Sequence, residues 1–387
     1  MKKENNNKII VNKKRLLDNF FNLLKIKSPT KNERELAIYL KSKLEELGLS
    51  TFIDDVEKNF GGSCGNLIAK YTPKKAKNNP PIFLCAHMDT VNFEGEIIPE
   101  LNNDGIIKNK NNTCILGADD KAAIAAILEA LNLINDYGIE TGTIYLIFTV
   151  GEETALLGSK YIDLNLIDAK IGFVFDADGD VGSIINKAPY HNRIHFTVIG
   201  KAAHAGVAPE KGINSIKAAS LAISNIYSGR VDNKTTCNIG VINGGIETNI
   251  VPEKTSVKAE ARSLEISKLN EITNKMIEEF KKAAKDFRAK VEYELNREYD
   301  GYEIDENSIC VKIAKNAIKK IGREPLVKSS GGGSDTNNFN SKGKYAINLS
   351  AGIENCHSQE EYIKFSELVK LTELIVEICR FDEEDLL

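Results

Sequence analysis

The sequence predicts an α/β protein in which a mostly parallel sheet, covered by helices on both faces, is interrupted by an inserted α+β domain. Three observations carry this. Short, continuously apolar runs alternate with amphipathic helical stretches, the pattern of strands buried on both faces. Near Arg193 the strands become half-exposed, and about a hundred residues later the first pattern returns. The chain, at 387 residues, is also too long for one ordinary core of roughly 150 residues.

Taken in order, Thr30-Lys31-Asn32-Glu33 has capping-box spacing. Leu36, Leu40, Leu44 and Leu47 follow at helical spacing until Gly48. The runs at 82–86 (IFLCA), 143–150 (TIYLIFTV) and 171–175 (IGFVF) read as buried strands. Between the first two, residues 122–135 place Ile124, Ile127, Leu128, Leu131 and Ile134 on one helical face. In the insert, Ile194, Phe196 and Val198 alternate along a strand, followed by a helix over 212–227 and strands near 235–242 and 255–261. A second helix carries Leu269, Ile272, Met276 and Phe280, and a last strand carries Val291, Tyr293 and Leu295. That β-α-β-β-α-β order is ferredoxin-like. Beyond it come a helix over 308–321, a buried strand at 345–350 and a final helix over 365–379. The expected division is 1–187 with 298–387, enclosing 188–297.

Charge excludes some partners. Fifty-one Lys+Arg against 55 Asp+Glu give a net charge of −4, not the basic excess of a surface that neutralises phosphates, so nucleic acid is not expected. No apolar stretch approaches the ~20 residues of a membrane span, and the basic N-terminus lacks the apolar centre of a secretory signal. Seven scattered cysteines without a CxxC read as reduced thiols of a cytoplasmic protein.

Ligands of a parallel sheet bind beyond the carboxyl ends of its strands, and this chain loads those ends with metal-binding side chains. The strand at 82–86 runs into His87 and Asp89, that at 143–150 into Glu152 and Glu153, and that at 171–175 into Asp176. Asp119 and Asp120 open the intervening helix, and the last strand leads to His357. Singly, each has a bland reading as a solvated charge or a helix cap. Together they form a negative cluster that calls for a cation. Two imidazoles and several carboxylates, without a cysteine motif, suit zinc or a similar ion in a catalytic site, with cobalt or manganese also accepted. The carboxylates exceed what one tetrahedral ion uses, which points to two ions. FDADGDVG offers Asp176, Asp178 and Asp180; Asp176, the first past the apolar run, is favoured.

The stretches HMDTV, LGADDKAAIAAILEAL, FTVGEETALLGSKYID, GKAAHAGVAPEKGINSIKAAS and GGIETNIVPEKT resemble, in order, the motifs of the dinuclear zinc exopeptidase, aminoacylase and carboxypeptidase G superfamily, closest to its peptidase T-like (tripeptide aminopeptidase-like) branch. The resemblance implies a three-layer zinc-exopeptidase-like catalytic domain with an inserted lid and homodimerisation domain. It implies that Asp119 bridges two metals and is joined to Asp120 by a cis peptide. His87 and Asp176 would hold one metal and Glu153 and His357 the other, with Asp89 accepting the far ring N–H of His87. Glu152 would be the general base, taking a proton from a water shared by the metals.

In the insert, the resemblance makes His204 an oxyanion stabiliser, Arg262 a clamp on a substrate carboxylate, and Asn249 a further substrate contact. The Gly331–Asp335 stretch lacks a following Lys and is no phosphate loop; Gly333, Ser334 and Asp335 are expected near substrate. His191 and His195 match nothing and are read as structural. The expected activity is aminopeptidase action on tripeptides or other short peptides. The alternatives are an aminoacylase, dipeptidase or carboxypeptidase, or an inactive peptide-binding relative.

Overall fold

The computed structural model describes residues 10–73 and 76–382; the basic stretch at 1–9 lies outside them. Contacts divide the chain into two units: Met1–Asn186 with Glu303–Ser329 and Ser334–Leu387, and Lys187–Tyr302 with Ser330–Gly333.

The first unit is built on a nine-stranded sheet whose centre is parallel. Ile82–His87 runs between Ile144–Thr149 and Ile171–Ala177, and Tyr345–Ser350 continues the parallel set beside Ile171–Ala177. Successive side chains of a strand point to opposite faces, and these strands bury both. Ile82, Leu84 and Ala86 join the core under the helices Lys13–Lys25, Ala118–Tyr137 and Phe365–Cys379. Phe83 and Cys85 face the opposite cluster with Ile147, Val174 and Phe339. The continuously apolar runs of the sequence thus become strands between two helical layers. A separate antiparallel sheet joins Ile353–Glu354, Tyr362–Lys364, Ile106–Asn109 and Pro99–Leu101.

The second unit holds a five-stranded antiparallel sheet. Its four long strands lie in the order Thr235–Gly244, Lys254–Ser263, Tyr190–Ile199, Lys290–Tyr299, the ferredoxin-like arrangement expected. The helices Ser215–Asn225 and Ile266–Asp286 cover one face through Ile194, Phe196, Val257, Ala259 and Met276. The Ser330–Gly333 segment belongs here because Gly333 lies against Tyr299: a Cβ at Gly333 would fall 2.4 Å from the ring.

One local expectation fails. Thr30 and Glu33 form no capping box. Glu33 is itself the residue before the Arg34–Glu46 helix and makes no side-chain cap bond. The Thr30 hydroxyl donates instead to Asp89 at 2.8 Å. Tertiary partners have outcompeted the local cap. All seven cysteines are unpaired, six of them buried. Among the described residues no helix is long and apolar enough to cross a membrane.

Candidate metal centre

The strand ends deliver their acidic and imidazole side chains to one place. His87 Nε2 lies 2.9 Å from Asp119 Oδ1 and 3.7 Å from Asp176 Oδ1. On the other side, His357 Nε2 lies 3.2 Å from Asp119 Oδ2 and 3.0 Å from Glu153 Oε1. Asp119 therefore offers one carboxylate oxygen to each histidine. His357 sits in the connection between Ile353–Glu354 and Tyr362–Lys364 with φ +63°, a left-handed conformation uncommon for a residue with a side chain and frequent at functional sites.

Asp119 and Asp120 are joined by a cis peptide and depart from helical backbone angles at the head of Ala118–Tyr137. Their side chains diverge: Asp119 meets the histidines, whereas buried Asp120 accepts the His87 backbone N–H at 3.2 Å. Of the three aspartates after the apolar run 171–175, Asp176, still within the Ile171–Ala177 strand, alone pairs with His87. The Cys356 thiol donates to Asp178 at 3.0 Å, and Asp180 pairs with Lys364 at 3.1 Å.

Asp89 meets the far ring nitrogen of His87, through its main chain. The acceptor nearest His87 Nδ1 is the Asp89 main-chain carbonyl at 2.8 Å, with the carboxylate Oδ1 at 3.6 Å. The carboxylate is turned to the next loop, accepting the backbone N–H groups of Glu152 at 2.9 Å and Glu153 at 3.2 Å. Main chain and side chain of one residue thus orient the segments on either side.

The charge state of the cluster shows what it is built to hold. Burial alone would lower the His87 imidazole, but Asp119, Asp176 and Asp89 outweigh it and raise it well above its ordinary value. The adjacent Asp119 and Glu153 carboxylates push His357 up to about 10. Burial, with neighbouring acid charge, raises Glu152 well above the usual carboxylate range and Asp176 to about 7. Carboxyls that keep protons beside imidazoles that gain them mark an excess of negative charge in a poorly solvated place. Divalent cations would replace those protons. The donor atoms fit: His87, Asp119 and Glu153 each bring a ligand atom within 4.8 Å of the others. Glu153 Oε1 is buried and accepts no hydrogen bond although His357 Nε2 is 3.0 Å away. Ligand atoms that converge in this way, one of them with no hydrogen bond of its own, suit a shared ion.

Two further buried carboxylates lie here, and the first, Glu361, carried no sequence signal. Glu361 accepts the backbone N–H groups of Leu116 and Gly117, each at 2.8 Å, and of Asp119 at 3.0 Å. It sits in a run, Gln359-Glu360-Glu361, that reads as solvated surface. Asp335, expected near substrate, is instead buried at the start of the Asp335–Ser341 helix, where it accepts the hydroxyls of Thr149 and Ser159. Ser334, also buried, precedes that helix and donates its backbone N–H to Asn337 at 3.1 Å.

The remaining sequence candidates lie in the second unit. His204 and Asn249 are exposed and their segments adjoin, with the Ala205 N–H donating to the Asn249 carbonyl at 2.9 Å. Arg262 is half-buried, bonds Glu260 at 3.2 Å, and leaves its buried Nε without a partner. His191 joins the same Glu260 at 3.1 Å, and His195 bonds Ser256 at 2.8 Å.

A three-layer α/β unit that gathers histidines and carboxylates at its strand ends, with a ferredoxin-like second unit, defines a class of metal-dependent peptidases. The chain belongs to the peptidase family M20/M25/M40, whose model matches residues 83–380. It is 43% identical over 369 residues to the uncharacterized protein YqjE of Bacillus subtilis, covering 95% of this chain and 98% of that one. Among solved structures it resembles the aminopeptidase PepT of Bacillus cereus, with a TM-score of 0.86 and 40% identity over 96% of this chain and 98% of that one. It also resembles a tripeptidase of Staphylococcus aureus, with a TM-score of 0.90, 36% identity and the same coverage. The protein is a metallopeptidase.

Proposed function

We propose that this peptidase removes N-terminal residues from tripeptides and other short peptides in the cytoplasm, using two divalent ions, most simply zinc. The similarity to PepT and to a tripeptidase supports the substrate class. The observation that carries the two-ion reading is the divided Asp119 carboxylate, with Oδ1 toward His87 and Oδ2 toward His357. His87 and Asp176 would hold one ion, Glu153 and His357 the other, and Asp119 both. Bound there, such ions supply Lewis acidity, polarising the substrate carbonyl and making a nearby water acidic near neutral pH.

Glu152 is the general base. No protein group hydrogen-bonds its carboxylate among the described residues, so its oxygens are free for water, while its backbone is fixed by Asp89. It takes a proton from the attacking water and passes it to the departing amine. His204 stabilises the oxyanion, Arg262 clamps the peptide carboxylate, and Asn249 and Gly333 line the substrate. The insert acts as lid and as the surface of a homodimer. Incubating the purified protein with unblocked tripeptides, N-acyl amino acids and N-blocked peptides tests the reading. Release of the N-terminal residue from the free tripeptide is expected, and exclusive cleavage of blocked substrates overturns it.

A further inference from the structure

Residues 26–33 precede the first strand-end motif in sequence but lie against three of the motif loops. Ile26 accepts Lys121 Nζ at 2.6 Å, and the Ser28 hydroxyl donates to the Met88 carbonyl at 2.8 Å. Thr30 donates to Asp89 Oδ2 at 2.8 Å, and Glu33 Oε1 accepts the Gly151 N–H at 3.1 Å. With the two bonds from Asp89, the successive amides of Gly151, Glu152 and Glu153 are all held by carboxylates.

Glu33 is fully buried, and burying a carboxylate is costly unless the surroundings use it. Helix capping does not account for it, since it makes no cap bond; its Oε1 joins the neighbouring Lys31 N–H, at 2.9 Å, to the distant Gly151 N–H. The latter bond falls at a left-handed residue: Gly151 has φ +63°, and a Cβ there would lie 3.2 Å from Leu157. Holding this amide sets the direction in which the next two residues leave the turn.

We infer that Glu33, assisted by Thr30, is a positioning residue for the reaction, fixing the Gly151–Glu153 backbone and so the aim of the Glu152 and Glu153 carboxylates. This rests on the reading of Glu152 as the base. Glu33 touches neither substrate nor ion. It acts on the geometry of those that do, where displacements near 1 Å are kinetically expensive.

The test uses the full chain at saturating Zn2+, Co2+ or Mn2+ with an unblocked tripeptide. Glu33→Ala is expected to lower kcat by ~10- to 100-fold with KM little changed, and to speed hydrogen exchange at the Gly151 amide while leaving the Ala118–Tyr137 helix as it was. Glu33→Gln, which keeps an accepting oxygen, is expected to recover most of the lost kcat and the slow exchange. An unchanged kcat in Glu33→Ala, an effect on KM alone, or faster exchange throughout the chain overturns the inference. Should Glu33→Ala not fold, Thr30→Val decides: a lower kcat with faster exchange at Glu153 supports it, and wild-type values in both overturn it. Exchange at Gly151 is read without substrate, so it separates failure of this inference from failure of the Glu152 reading.

Discussion

Glu361 holds Asp119 by its backbone: Oε1 accepts the Asp119 N–H at 3.0 Å, while Oε2 takes the N–H groups of Leu116 and Gly117. One buried carboxylate thereby fixes the segment that brings the Asp119 side chain between two histidines, although it lies 242 residues further along the chain. Groups that orient metal ligands typically contribute 10- to 100-fold to metal affinity. Glu361→Ala is expected to weaken metal binding by about that factor, read by titrating chelator-stripped protein with Zn2+ or Mn2+. Unchanged affinity in a folded variant would reduce Glu361 to a structural tie.

If Glu152 moves the proton, removing its basicity while keeping its shape stops the chemistry and spares the metals. Glu152→Gln is expected to lower kcat by at least ~100-fold with metal content by elemental analysis unchanged. Loss of the metals in that variant contradicts the role.

Asp89 orients His87 through its main chain, so Asp89→Ala keeps that hydrogen bond and leaves the Glu152 and Glu153 amides without their acceptor. Each unsatisfied buried donor costs about 1–3 kcal/mol. Stability by urea denaturation should fall by roughly that much per amide, with a loss of kcat. A variant that loses only metal affinity, with stability intact, would restore the carboxylate as the partner of the His87 ring.

Asp176, Glu33 and Glu361 each have a folded pKa of about 7, raised chiefly by burial. A raised pKa means that the folded state binds more protons. The stability these groups contribute is present below their ordinary values near 4 and is lost as pH rises toward 7. His357, raised to about 10 by Asp119 and Glu153, acts in the same direction between its ordinary value and 10. Metal ions take the deprotonated ligands. The difference in Tm between metal-loaded and chelator-treated protein is therefore expected to widen from about pH 5 to about pH 8. A difference flat across that interval refutes the linkage.

Much of this architecture was legible because its causes are local. Apolar runs such as 171–175 mark strands buried on both faces whatever they pair with, and an acidic residue or histidine directly after such a run must leave the sheet at its carboxyl end. His87 and Asp176 directly follow such runs, and the Glu152-Glu153 and Asp119-Asp120 pairs stand just past a run and at a helix entrance; which member of each pair is a ligand came from the family resemblance. Where local spacing had a distant competitor it misled. Thr30 and Glu33 have the offset of a capping box, yet the Thr30 hydroxyl goes to Asp89 and Glu33 is shared between Lys31 and Gly151.

The sequence alone determined the fold class, the alternation of strand and helix, and which residue types could gather at the strand ends, since periodicity and side-chain chemistry are properties of short stretches. Tertiary structure decided which carboxylates face one another: Asp176 rather than Asp178 beside His87, both oxygens of Asp119 shared between histidines, and Glu33, Asp335 and Glu361 buried where they hold backbone amides or hydroxyls. The reason is physical. A buried charge is tolerated only by the partners it meets in space, and those partners come from segments that no local pattern connects.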